Sequence, residues 1–241
     1  MDVVLVSDGE KGKLAAEELG IVAKDAEGFR ALWVAGAAVE PVRGVAAVVA
    51  YLGRAGEATQ VWMNNARRMF PGAAVRHRSA RPSRAQALRF PLPSLRENRR
   101  GPVVMHVGAG AEEKRWPLER WVHLAERIGT RAKLLAGEVE RERFSERERR
   151  AFHEAGGVFV GTLAALGGEL RLARVVVCGD SGPGHLAAQL GVRVVSLFGP
   201  GNPERWAPVG PVVEVLAPDR PSPMDWLTVE RVEGAVRGLM G

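Results

Sequence analysis

Residues 174–198 read RVVVCGDSGPGHLAAQLGVRVVSLF, and this stretch decides the fold. An apolar run, Val175-Val176-Val177, breaks off at Cys178-Gly179. An acid, a hydroxyl, two glycines and a histidine then crowd into one turn. A short helical pattern follows, and a second apolar run starts at Val192. Continuous β-branched runs joined through a helix are the mark of a parallel sheet covered on both faces. The crowded turn, Cys178 to Gly191, has two plain explanations. Asp180 or Ser181 could cap the helix, and the glycines could simply make the turn. The third is that the turn holds a ligand, because the N–H groups at a helix start lack partners and favour an anion.

Working outward, the same alternation fills the second half. Strands are expected at 102–108 (PVVMHVG), 132–137, 157–161, 174–178 and 192–198. Helices are expected from Pro117, a favourable first-turn proline, near Glu146 behind a Ser145/Glu148 capping box, over TLAALGGELRLA, and over 226–240. The run EVERERF reads as loop or a single helical turn. The first 100 residues are less clear. DVVLVS is a strand, GEKGKLAAEELG contains a helix, ALWVAG reads as a strand, and VAAVVAYLG fits helix or strand. The polar, basic, proline-bounded stretch 91–102 reads as a linker. The expected fold class is α/β with parallel sheets, in two domains, 1–97 and 98–241.

Composition sets limits. The 241 residues are 46% apolar and 26% charged, so disorder is excluded as a general state. The one cysteine rules out an intrachain disulfide and a Cys-rich zinc site. Met1 leads directly into an acid and VVLV, and the longest apolar run, near 44–53, is too short to span a bilayer; a cytoplasmic chain is expected. Of 34 basic residues only five are lysine, which fits a thermophilic or a GC-rich source. The segment 67–100 holds ten arginines and one acid, Glu97. It reads either as a solvated surface or as a face for an anionic partner, with Arg76, Arg78 and Arg81 as candidates. The anionic partner would be a phosphorylated glycan, a membrane surface or nucleic acid. Nucleic acid is disfavoured, because only Phe70 and Phe90 interleave with the arginines and no recognition motif is present.

In open parallel sheets ligands sit beyond the carboxyl ends of the strands. Three loops there carry chemistry: HVGAGAEEKRWP (106–117), AGEVERE (136–142) and the crowded turn. Gly108 and Gly110 free the backbone after one strand, and Gly182 and Gly184 do so after another. Lys114 brings a point charge, Ser181 a donor, and His185 a second donor in the first helical turn. Together these suggest a diphosphate clamp.

The motifs GAGAEEKRWPLERWVHLAERI and GDSGPGHLAAQLGVRVVSLFGPGNPERWAP, in this order over about 101–216, resemble the C-terminal domain of family 9 glycosyltransferases, the lipopolysaccharide heptosyltransferase-like group. The resemblance implies a GT-B-like architecture of two Rossmann-like domains, here with a reduced N-terminal one. It implies inverting, metal-independent sugar transfer, with a nucleotide-diphosphate sugar such as ADP-heptose as substrate rather than a cofactor. The acceptor would be an anionic glycolipid or cell-envelope glycan at the inner membrane face. By position, Lys114 would meet the diphosphate or the sugar, and Asp180 the donor sugar. Ser181, Gly182 and the helix start would hold phosphate, with His185 supporting that loop. Glu140 would lie near the nucleotide ribose, with Glu138 and Glu142 as neighbouring alternatives. The chain departs from the family at its first strand. The family's Gly-Asp loop leading to Thr-Pro supplies the catalytic base, whereas this chain reads VSDGEKGKL. Asp8 and Glu10 are then the carboxylates at the end of the first strand, with Asp8 the candidate base against a plain reading as a helix cap or turn residue. A catalytically silent nucleotide-sugar-binding protein of the same fold is the alternative.

Overall fold

The computed structural model describes residues 4–7, 22–25, 29, 31–32, 34–52, 56–79 and 92–241. The chain divides into two compact units, Met1–Pro82 and Ser83–Gly241. The stretch 91–102 was expected as a linker, with a boundary after residue 97. Its described part is instead strapped to the second unit. Arg96 N–H donates to Gly191 O (2.8 Å), Arg96 Nε to Leu190 O (2.9 Å), and Asn98 Nδ2 to Leu172 O (2.6 Å). Polar residues between prolines have found backbone carbonyls to bind, so the segment is ordered despite its composition.

In the first unit β1 (Val4–Ser7) pairs in parallel with β2 (Val22–Asp25), and β3 (Ala47–Leu52) with β4 (Ala74–Ser79). Helix α1 (Glu57–Met69) crosses between β3 and β4. Its Trp62, Met63, Ala66 and Met69 recur at helical spacing and pack with Ala50, Leu32 and Phe70. The run VAAVVAYLG, open between helix and strand, is strand over Ala47–Leu52. ALWVAG was expected as a strand, but its described residues form a turn. Leu32 is buried there as an anchor, and the buried Asn65 amide donates to the carbonyls of Ala31, Leu32 and Val34 (3.3, 3.2 and 2.9 Å). A short apolar run cannot by itself distinguish a strand from such an anchor. The helix expected over GEKGKLAAEELG lies outside the described residues.

The second unit is one six-stranded parallel sheet: β5 (Val103–His106), β6 (Ala132–Ala136), β7 (Val158–Phe159), β8 (Val175–Gly179), β9 (Arg193–Leu197) and β10 (Val213–Leu216). Their spatial order is β10-β9-β8-β5-β6-β7. Side chains alternate between two cores because strand residues have period two. Val103, Met105, Val175 and Val177 face a core shared with α2 (Leu118–Ile128), α4 (Glu146–Glu154) and α8 (Val229–Met240). Val104, Val176 and Cys178 face the other, beneath α5 (Leu163–Leu172) and α6 (Gly182–Gln189). The Ser145/Glu148 capping box forms as expected. EVERERF yields the short α3 (Glu138–Arg143). The strand β10 and the single-turn α7 (Pro203–Trp206) were not anticipated. Among the described residues no helix is long and apolar enough to cross a membrane.

Candidate functional site

The chain runs β5, β6, β7 outward in one direction, then returns to lay β8, β9, β10 on the other side of β5. The connections after β5 and β8 therefore diverge at neighbouring strands. Such a switch point leaves a crevice at the carboxyl edge of the sheet. The two loops read as a clamp both start there.

They meet through one ion pair: Lys114 Nζ lies 2.7 Å from Asp180 Oδ2, with the lysine side chain 29% exposed and the aspartate 8%. Asp180 was expected to accept backbone N–H bonds or to face a sugar hydroxyl; its recorded partner is the lysine of the neighbouring loop. The loop after β9 closes the third side, where a Cβ at Gly201 would fall 2.5 Å from Asp180 Oδ2. Gly201 escaped the sequence reading, since its reason is the space Asp180 occupies.

The capping explanation of the crowded turn does not hold as stated. Ser181 sits at the N-cap of α6, but its Oγ donates to Gly179 O (3.3 Å) and does not accept from the helix. Asp180 is turned to Lys114. The first turn of α6 thus keeps its N–H groups uncapped by either side chain. His185 is exposed in that turn. Gly184 packs on the sulfur of Cys178, where a Cβ would lie 2.5 Å from Sγ. Burial, with the charge of Asp180 adding to it, pushes the Cys178 thiol up to about 12, so Cys178 is an inert floor under the helix start. By contrast, a Cβ at Gly110 or Gly182 would meet nothing within 4 Å.

Glu140 lies in the first turn of α3 and is buried (6% exposed); its Oε2 accepts from Gly137 N–H at 3.1 Å. Glu138 and Glu142 are exposed. Trp116 of the KRWP run is buried against Trp121, and its Nε1 donates to Leu227 O (3.0 Å). Arg120 donates to the same carbonyl (2.8 Å). These residues anchor the start of α2 to the 224–227 turn and so fix the far end of the Lys114 loop. Sequence reasoning also passed over His106, a buried imidazole at the end of an otherwise apolar strand. A polar residue closing such a run was the available signal.

In the first unit Arg76 is exposed on β4, and Arg78 follows on the same strand. Arg81 and Asp8 lie outside the described residues.

A family model described as glycosyltransferase family 9 (heptosyltransferase) matches residues 47–226, about three quarters of the chain. The chain belongs to glycosyltransferase family 9. This family 9 chain is 36% identical over 157 residues to lipopolysaccharide heptosyltransferase 1 of Pseudomonas aeruginosa, a match covering 57% of the chain and 44% of that relative. The chain thus spans under half the length of the curated relative it matches. Among solved structures it resembles the family 9 glycosyl transferase of Veillonella parvula (TM-score 0.50, 18% identity, 79% of this chain and 62% of that one). It also resembles E. coli heptosyltransferase WaaC with ADP (TM-score 0.50, 14% identity, 99% and 73%). These likenesses carry the GT-B-like α/β fold expected from the sequence.

Proposed function

We propose that this family 9 chain binds a nucleotide-diphosphate sugar at the carboxyl edge of its six-stranded sheet and takes part in its transfer to a cell-envelope glycan. The observation that carries this reading is the Lys114–Asp180 pair at the switch point, between a glycine-bearing loop and an uncapped helix start. Lys114 and the first-turn N–H groups of α6 supply positive charge from two sides, which suits a diphosphate. Asp180, held by Lys114, faces the sugar end. Gly110 and Gly182 support the same reading. Neither has a positive φ, and neither is crowded by protein atoms. The fold itself does not require glycine there; close approach of a ligand does.

The donor is ADP-heptose, in keeping with the heptosyltransferases the chain resembles, one of them named with ADP. Transfer proceeds with inversion and without a metal. The acceptor hydroxyl attacks the anomeric carbon, the C–O bond to the diphosphate breaks, and Lys114 with the helix start takes up the charge left on the leaving group. Asp8 is the candidate for receiving the acceptor proton. The acceptor is an anionic glycolipid or glycan, met by the arginines of β4 in the cytoplasm at the membrane face.

The test is transfer from ADP-heptose to a deacylated lipopolysaccharide core fragment in EDTA, with the product's anomeric configuration read by NMR. An inverted product formed in chelator supports the reading. ADP-heptose binding without product, at any acceptor offered, favours the silent sugar-binding alternative.

A further inference from the structure

Beneath the Lys114 loop lies a buried polar pair, His106 and the Glu140 read against the nucleotide ribose, that also meets the backbone of the loop. His106 closes β5 and is 6% exposed, as is Glu140. The Nδ1 of His106 accepts the N–H of Gly108 at 3.3 Å. The carboxyl group of Glu140 fills the space beside Gly108, where a Cβ would stand 2.5 Å from Oε1 and 2.6 Å from Oε2. On its other side Glu140 Oε2 takes the N–H of Gly137, at the end of the adjacent strand β6. Two glycines at the ends of neighbouring strands thus make room for one carboxyl, and an imidazole holds the first N–H of the loop leading to Lys114. Apolar packing would fill this place at lower cost, because burying such groups carries a desolvation penalty.

We propose that His106 and Glu140 are positioning residues that set the path of the loop 108–114 and so deliver Lys114 to the diphosphate. The proposal rests on the donor-binding reading for its ligand, though not for the loop geometry. His106 acts as a neutral imidazole protonated on Nε2, since Nδ1 must accept from Gly108. Glu140 acts as a wedge that keeps Gly108 from sinking toward β6. Neither touches the reacting atoms; both act through the backbone of Gly108.

Hydrogen exchange on the ligand-free chain is the test. His106→Leu removes the acceptor and leaves a buried N–H unpaired, so exchange across 107–115 rises about tenfold, while 175–179 is unchanged. His106→Asn offers an oxygen near the same place and brings the rate most of the way back. Unchanged exchange in His106→Leu, or equal loosening in both variants, overturns the proposal. Should His106→Leu fail to fold, the wild-type imidazole decides: nitrogen NMR at pH 7 must show Nδ1 unprotonated, and a proton on Nδ1 contradicts the proposal. Titration with ADP, UDP and GDP separates the two readings. A wild type that binds a diphosphate, with His106→Leu binding it as tightly, overturns the positioning role. A wild type that binds none removes the donor reading alone, and loop exchange still decides the role of His106.

Discussion

Gly108, Gly110 and Gly182 are glycines for different reasons, and substitution separates them. Alanine at 108 runs into the Glu140 carboxyl, so Gly108→Ala lowers stability by about 1–3 kcal/mol, read from the urea midpoint. Alanine at 110 or 182 meets no protein atom; each stays within about 0.5 kcal/mol of wild type. A loss at 110 or 182 as large as at 108 contradicts this assignment. His106 adds a pH signature. Burial holds its imidazole below its ordinary 6.5, with the nearby Glu140 charge pulling the other way. On acidification the unfolded chain takes up this proton before the folded one does, so the unfolded state binds more protons and stability falls below about pH 6.5. His106→Asn flattens that slope in chemical denaturation measured from pH 7 to 5. An unaltered slope places the titration elsewhere.

At the scale of elements, α6 is the part whose start matters. Its first turn is left uncapped by Ser181 and Asp180, and Gly182 opens to solvent. A bulky side chain there covers the helix start without touching the core. Gly182→Leu is therefore expected to weaken nucleoside diphosphate binding about tenfold or more, by removing helix-start contacts of roughly 1–2 kcal/mol, with little change in melting temperature. Ser145→Ala is the converse control: it breaks the capping box of α4, costs about 1 kcal/mol and leaves binding intact. Calorimetry with thermal melts checks both. The elements of the second unit were legible because strands such as Val175–Val177 are continuous β-branched runs and the cap Ser145 announces its helix. The ion pair was not legible. Lys114 and Asp180 are 66 residues apart, and only the return of the chain past β5 joins them. From the sequence each reads against a ligand, and neither against the other. Gly201 and His106 were missed for the same reason, since their roles lie in what a neighbouring loop places beside them.

For the molecule as a whole, the charge is unevenly spread along the chain. Residues 67–100 are strongly basic, and Arg76 stands exposed on β4. Under the proposed function the arginines of β4 meet an anionic acceptor, so Arg76→Glu with Arg78→Glu raises the KM for acceptor about thirtyfold or more, at roughly 1 kcal/mol for each of the two arginines, and leaves donor affinity unchanged. Equal loss of both contradicts that assignment. The first unit was the harder to read because its apolar runs are short. ALWVAG became a turn anchored by Leu32 and held by Asn65, and α1 supplies the core that strand patterns alone did not suggest.

The central claim is that the turn DSGPGH and the Lys114 loop form one diphosphate clamp, and calorimetric titration tests it most directly. ADP, UDP, GDP and ADP-heptose are titrated into wild type and Lys114→Ala. The account predicts selective binding of one diphosphate and its sugar, weakened about tenfold or more by Lys114→Ala, as loss of a charged hydrogen bond implies. Equal affinity in the two proteins, or no binding of any of the four by wild type, contradicts it.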